Sequence, residues 1–76
     1  MFVDIETKNN VLILINTENV SMLRCAIKDG YQSVIIFFCG DEALELSKNP
    51  DHENYVGHCE LDSIIEQITN SKGRYD

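Results

Sequence analysis

The residues best equipped for chemistry lie together in "DHENYVGHC", which holds Asp51, His52, Glu53, His58 and Cys59. Imidazole and thiolate are the ligands zinc prefers. The spacing here, His-x5-His-Cys, matches no standard zinc site, and adjacent His58 and Cys59 are poorly placed to chelate one ion. The other chemistry these residues offer is nucleophilic. Cys59 would be the thiolate and His52 or His58 the base, but an oxyanion hole is also needed and no motif supplies one. Cys25 and Cys39 fall in strand-like runs and read as core residues. "CGDEA" lacks the Gly-x-Gly spacing of a phosphate-binding loop. The segment therefore reads as a polar surface loop around a half-buried Cys59. No catalytic residue, metal ligand or cofactor is assigned, and a small metal- or Cys/His-dependent enzyme is kept as an alternative.

Charge points to partners rather than substrates. The chain carries 13 acidic and 6 basic residues, a net charge of −7. A nucleic-acid backbone repels such a surface, so direct DNA or RNA binding is disfavoured. The same sign favours a basic partner, or imitation of a nucleic acid toward a protein that binds one. Asp4, Glu6, Glu18, Asp41, Glu42, Glu45, Asp51, Glu53, Glu60, Asp62 and Glu66 are spread along the chain, interrupted by Lys8, Arg24, Lys28 and Lys48. Most read as solvated surface, and a few as a docking patch for Arg or Lys on a partner.

The elements that must position these groups follow from periodicity. "MFVDIE" puts Val3 and Ile5 on one face and Asp4 and Glu6 on the other, the alternation of a half-buried strand. "TKNN" supplies turn chemistry. "VLILI" (Val11–Ile15) is apolar and β-branched, and reads as a strand buried on both faces. "NTEN" then interrupts the apolar run. It is either a tight turn before a strand at 20–27 or the cap of a helix stopped by Gly30. "KDGY" favours the strand, because Asp-Gly is a strong hairpin signal and "SVIIFFC" follows it. Gly40–Asp41 offers a second turn before "EALELS", where a helix opening at Asp41 competes. "ELDSIIEQIT" places Leu61, Ile64, Ile65 and Ile68 on one helical face, with Glu60 and Asp62 near the positive end of the dipole.

The expected fold is α+β: an antiparallel β-meander of four to five strands with one C-terminal amphipathic helix. A small βαβα domain is the alternative. Residues 1–69 form a single compact domain and 70–76 a frayed tail. No apolar run reaches the roughly 20 residues that cross a bilayer. Met1 is followed by "FVDIE" without the basic start of a signal peptide. Three cysteines without paired spacing fit a reducing, cytoplasmic setting.

Apolar surface exceeds what one helix can cover. Val34, Ile36 and Phe38 point one way, and Ile35, Phe37 and Cys39 the other. Curvature or a partner must cover the second face, and in so short a chain a homodimer is the natural solution. Ile35, Phe37 and Phe38 are the residues expected to cover the sheet or form the dimer. Tyr31 and Tyr55, with Asp41, Glu42, Asp51 and Glu53, are the residues expected to meet a partner.

"MFVDI", "LINTENV", "SVIIFF" and "DSIIEQI" together resemble small bacterial and phage proteins built as a β-meander plus a C-terminal helix, the flagellar FlbD-like proteins among them. The shared pattern has a first strand, then N-x-(D/E)-N-(I/V) between strands, then a hairpin and a closing helix. The resemblance spans about Met1 to Thr69 and brings no catalytic residue. Asn- and Ile-rich style, short length and acidity also resemble phage accessory proteins. That resemblance implies a non-enzymatic interaction module that binds and inhibits a host protein in the host cytoplasm, a defence-system component among the candidates. An acidic DNA mimic that blocks a nucleic-acid-binding protein is the alternative.

Overall fold

In a computed structural model that describes residues 1–57 and 59–71, the chain forms β1 (Phe2–Glu6), β2 (Leu12–Asn16), β3 (Val20–Lys28), β4 (Tyr31–Phe38), β5 (Ala43–Ser47) and α1 (Leu61–Ser71). All neighbouring strands pair antiparallel, β1 with β2 and β3–β4–β5 as a meander. The α+β class with a meander and a C-terminal helix is the observed one. The βαβα alternative is excluded, since the segments at 20–28 and 43–47 are strands.

Local chemistry explains the turns. Asp29 and Gly30 both have positive φ, 53° and 82°. They form a two-residue turn between Lys28 and Tyr31, whose twist matches that of the flanking strands. The β4–β5 connection is longer. Gly40 sits at φ 97° and Asp41 at 72°, and the Phe38 N–H closes the loop onto the Glu42 carbonyl at 2.8 Å.

"NTEN" is a turn, but not a hairpin. The Asn16 side chain accepts the Glu18 N–H at 3.2 Å, which starts a single 3₁₀ turn over Thr17–Asn19. Thr17 is fully buried, and both its N–H and its hydroxyl donate to the Met1 carbonyl, at 3.0 and 2.9 Å. Anchored to the start of β1, the chain leaves the first sheet. The Asn19 carbonyl then accepts the Cys39 N–H at 2.8 Å, and Val20 enters the second sheet opposite Phe38. β2 and β3 are consecutive but do not pair.

Side chains from both sheets and the helix meet in one core, with Val3, Ile5 and Ile15 from the first sheet, Val34, Ile36 and Leu46 from the second, and Leu61, Ile64 and Ile68 from α1. The helix packs on β1 and β4, and its stripe is the one the spacing predicts, with Ile65 half-buried beside it.

Several expectations are corrected. β2 is not buried on both faces: Ile15 is buried, but Val11, Leu12 and Leu14 are exposed. The second sheet and α1 both lie on the inner side of the β1–β2 hairpin, so among the described residues no element covers its outer side. Cys25 and Cys39 are exposed rather than core. The first lies on edge strand β3 and the second in the turn beyond β4. Cys59, by contrast, is half-buried against the core. α1 continues through Ser71, so Asn70 and Ser71 are helical, while residues 72–76 lie outside the described residues.

Candidate functional site

The polar loop between β5 and α1 spends its side chains on its own shape. His52 Nδ1 accepts the Asn54 N–H at 2.9 Å. That pattern assigns its proton to Nε2, which lies 3.8 Å from Glu45 Oε1. Asn54 Nδ2 donates to the Glu45 carbonyl at 2.9 Å, and Asn49 Oδ1 accepts the Asp51 N–H at 3.0 Å. The Lys48 ammonium donates to the carbonyls of Val56, Gly57 and Cys59 at 3.2, 3.1 and 2.9 Å. Among the described residues no three His, Cys, Asp or Glu side chains converge on a metal-sized space. His58, the other imidazole of the sequence argument, lies outside the described residues.

The expected partner-binding residues divide into two groups. Tyr31 is exposed at the β3–β4 turn. Asp51 and Glu53 are exposed on the loop after β5, and Ser47 at that end of β5 pairs with Ser33 near Tyr31. Asp41 and Glu42 lie at the opposite end of β4, at least ~20 Å away at about 3.3 Å per residue. Tyr55 is half-buried. Its carbonyl accepts the Lys8 N–H at 3.1 Å, and its ring lies where a Cβ on Gly57 would be.

The sheet-covering set is also divided. Ile35 and Phe37 share the outer face of the second sheet with Met22 and Arg24, and the Arg24 guanidinium sits 5.7 Å from the Phe37 ring centroid. Phe38 points the other way and packs against the core. On this outer face Glu45 pairs with Lys28 at 3.2 Å, so both signs of charge are present.

The feature that sequence reasoning missed is the outer face of the β1–β2 hairpin. Phe2, Leu12 and Leu14 lie on it at 63, 57 and 62% exposure. Across the strands Asp4 stands opposite Leu14, and Glu6 opposite Leu12. Beyond the far edge of β2 runs a groove of about 410 Å³ between the two sheets, lined by Phe2, Ile13, Leu14, Phe38, Glu42 and Leu44. The signal was present in the unbroken run "VLILI", which burial on both faces explains as readily as one face left for a partner.

The acids are distributed over separate elements: Asp4 and Glu6 on β1, Asp41 and Glu42 in a turn, Asp51 and Glu53 in the long loop, Asp62 and Glu66 on α1. Among the described residues no helix is long and apolar enough to cross a membrane. No protein-family model, curated protein or solved structure matches the chain.

Proposed function

We propose that this chain is a non-enzymatic interaction module, and that it engages a basic partner protein through the outer face of the β1–β2 hairpin. One observation carries the reading: Phe2, Leu12 and Leu14 stand together in solvent, and among the described side chains of β1 and β2 the charges on their face are the carboxylates of Asp4 and Glu6. Contiguous apolar surface of this kind marks interaction sites on small proteins, and the acids beside it select a cationic neighbour. The finer reading follows the resemblance to phage accessory proteins. The partner is then a host protein, a defence component among the candidates, and binding inhibits it.

Self-association belongs to the other open face. Met22, Ile35 and Phe37 supply apolar area there, and Arg24, Lys28 and Glu45 supply charges that a second copy can complement. Sedimentation at micromolar concentration tests this, with a dimer mass expected and a clean monomer opposing it.

The test of the main reading is saturable capture from the lysate of the producing cell, comparing the full chain with a Leu12→Ser/Leu14→Ser variant. Burying one Leu contributes about 1.5–3 kcal/mol, so the double variant should bind at least ~100-fold more weakly. Equal capture by a folded double variant refutes the assignment of this face.

A further inference from the structure

Antiparallel ladders alternate between residue pairs that exchange both backbone bonds and pairs that exchange none. Two bonds bracket the β1–β2 hairpin: Thr17 N–H to the Met1 carbonyl at 3.0 Å, and Thr7 N–H to the Val11 carbonyl at 2.8 Å. Counting inward from either bond along the observed register, Val3–Ile15 and Ile5–Ile13 are the exchanging pairs. Asp4–Leu14, Glu6–Leu12 and Phe2–Asn16 are not. The N–H and C=O groups of Leu12, Leu14 and Asn16 therefore point away from β1, along the free edge of β2. That strand has β1 as its one described neighbour.

An edge of this kind is normally guarded. Natural sheets place charges, prolines or bulges on exposed edges to prevent pairing with another chain. "LILIN" has no charge and no proline, and pairs with β1 in unbroken register. The groove beyond it offers apolar walls in Ile13, Phe38 and Leu44. Charge selects the occupant. Glu42 lines the groove, Asp4 and Glu6 flank the outer face, and among the described residues no Lys or Arg side chain lies on β1, on β2 or along the groove; the N-terminal ammonium beside Phe2 is already met by Glu18 at 3.6 Å. Among the described residues, a second copy would bring the same carboxylates to the contact and no Lys or Arg side chain.

Resting on the interaction reading above, we infer that the free edge of β2 is a strand-addition site for an extended partner segment that alternates apolar residues with Lys or Arg. Main-chain bonds to Leu12, Leu14 and Asn16 hold the added strand, as in other recognition by strand addition. Its apolar side chains, level with Ile13 and Ile15, fill the groove against Phe38 and Leu44. Its basic side chains, level with Leu12 and Leu14, lie on the outer face. From there they reach over β2 toward Asp4, about 10 Å away across two strand spacings.

The test is residue-resolved amide hydrogen exchange on the full chain with a capped heptapeptide alternating Lys or Arg with Val. The same peptide with Glu for each basic residue is the comparison. The basic peptide should slow exchange at Leu12, Leu14 and Asn16 at least tenfold. Ile13 and Ile15, already bonded to β1, should be unchanged, and the acidic peptide should have no effect. Leu14→Pro removes one outward N–H without touching the β1 ladder and should abolish the protection at Leu12. Leu14→Ser keeps the N–H and should weaken binding while preserving the pattern.

No slowing, slowing that ignores the alternation, or equal slowing by the acidic peptide overturns the inference. So does concentration-dependent slowing of the chain alone, which would mean that β2 pairs with a second copy. The two readings fail separately. Capture lost with the double Ser variant, but edge amides unprotected, keeps the face and refutes strand addition. Protection by the peptide with no saturable cellular capture keeps the edge site and refutes the interaction module.

Discussion

Replacing Lys48 with Met should unfasten the loop between β5 and α1. The ammonium is the hub of that loop, donating to three carbonyls within 3.2 Å. Hydrogen bonds to a charged group contribute about 1.5–3 kcal/mol each. Lys48 is only half-buried, so water competes for each bond and the total is well below three times that figure. A net loss of about 2–3 kcal/mol is the resulting expectation. A chain of this length has about 4–11 kcal/mol of stability in all, so the loss is a large share. With a urea slope of about 1 kcal/mol per molar, the unfolding midpoint should fall by about 2–3 M. Met keeps the aliphatic stem, so the change isolates the ammonium. Arg should recover only part of the loss, because its planar fork cannot aim donors at three converging carbonyls. Urea unfolding followed by circular dichroism gives the midpoint. Amide exchange at Val56 and Cys59, whose N–H groups bond to Ser47 and Val56 carbonyls, reports the loop itself. A Lys48→Met midpoint within ~0.5 M of the parent, with both amides still protected, would refute the hub.

Proline placed at neighbouring positions of β2 should act oppositely. Ile15→Pro removes a bond to Val3 and a side chain only 1% exposed, and should cost at least ~3 kcal/mol. Leu14→Pro should cost within about 1 kcal/mol, and similar thermal melts for the two would show the ladder parity to be wrong. Gly57→Ala puts a Cβ into the Tyr55 ring, 2.6 Å from its Cε2. An overpacking cost of about 1–3 kcal/mol is expected, and an unchanged melting temperature would contradict that contact. Cys25 and Cys39, both exposed, should react with a thiol reagent in the native state, whereas Cys59 should lag at least tenfold. Peptide mapping after partial labelling checks the order, and Cys59 modified first would reverse the assignment.

What was legible in the sequence was local. The alternation of Val3 and Ile5, the Asp29–Gly30 turn, and the stripe Leu61, Ile64, Ile68 each need only a few consecutive residues to be recognised. What was illegible depends on contacts between distant parts of the chain. Thr17 is fastened to Met1, sixteen positions away, and that bond sends β3 into a different sheet from β2. Nothing in "NTEN" alone distinguishes this from a hairpin turn. The thiols were misplaced for the same reason. Strand-like surroundings made Cys25 and Cys39 look interior, but an edge strand and a turn do not bury what they carry. Lys48 looked like one of the cations that break up an acidic surface. Three carbonyls from residues 56 to 59 converge on it only after the loop has closed.

The same strand that misled the sequence reading separates folding from recognition. Ile13 and Ile15 face the core, whereas Leu12 and Leu14 face water. A residue's side in a strand is fixed by parity alone. The inward pair should therefore govern stability, with a loss of about 2–5 kcal/mol on truncation of buried Ile15 to Ala and a smaller one at half-buried Ile13. The exposed pair should govern it hardly at all, within about ±0.5 kcal/mol per site. Folding alone gives no reason for leucine at 12 and 14, since a polar β-former such as Thr would serve a wet face equally well. The carboxylates beside them on β1 follow the usual alternation and satisfy solvent. Leu12 and Leu14 break it on the strand whose other edge has no partner among the described residues, where an unguarded apolar strand invites pairing. The departure from alternation, the free backbone groups and the acid-lined groove thus fall on one strand, and a partner strand accounts for all three together.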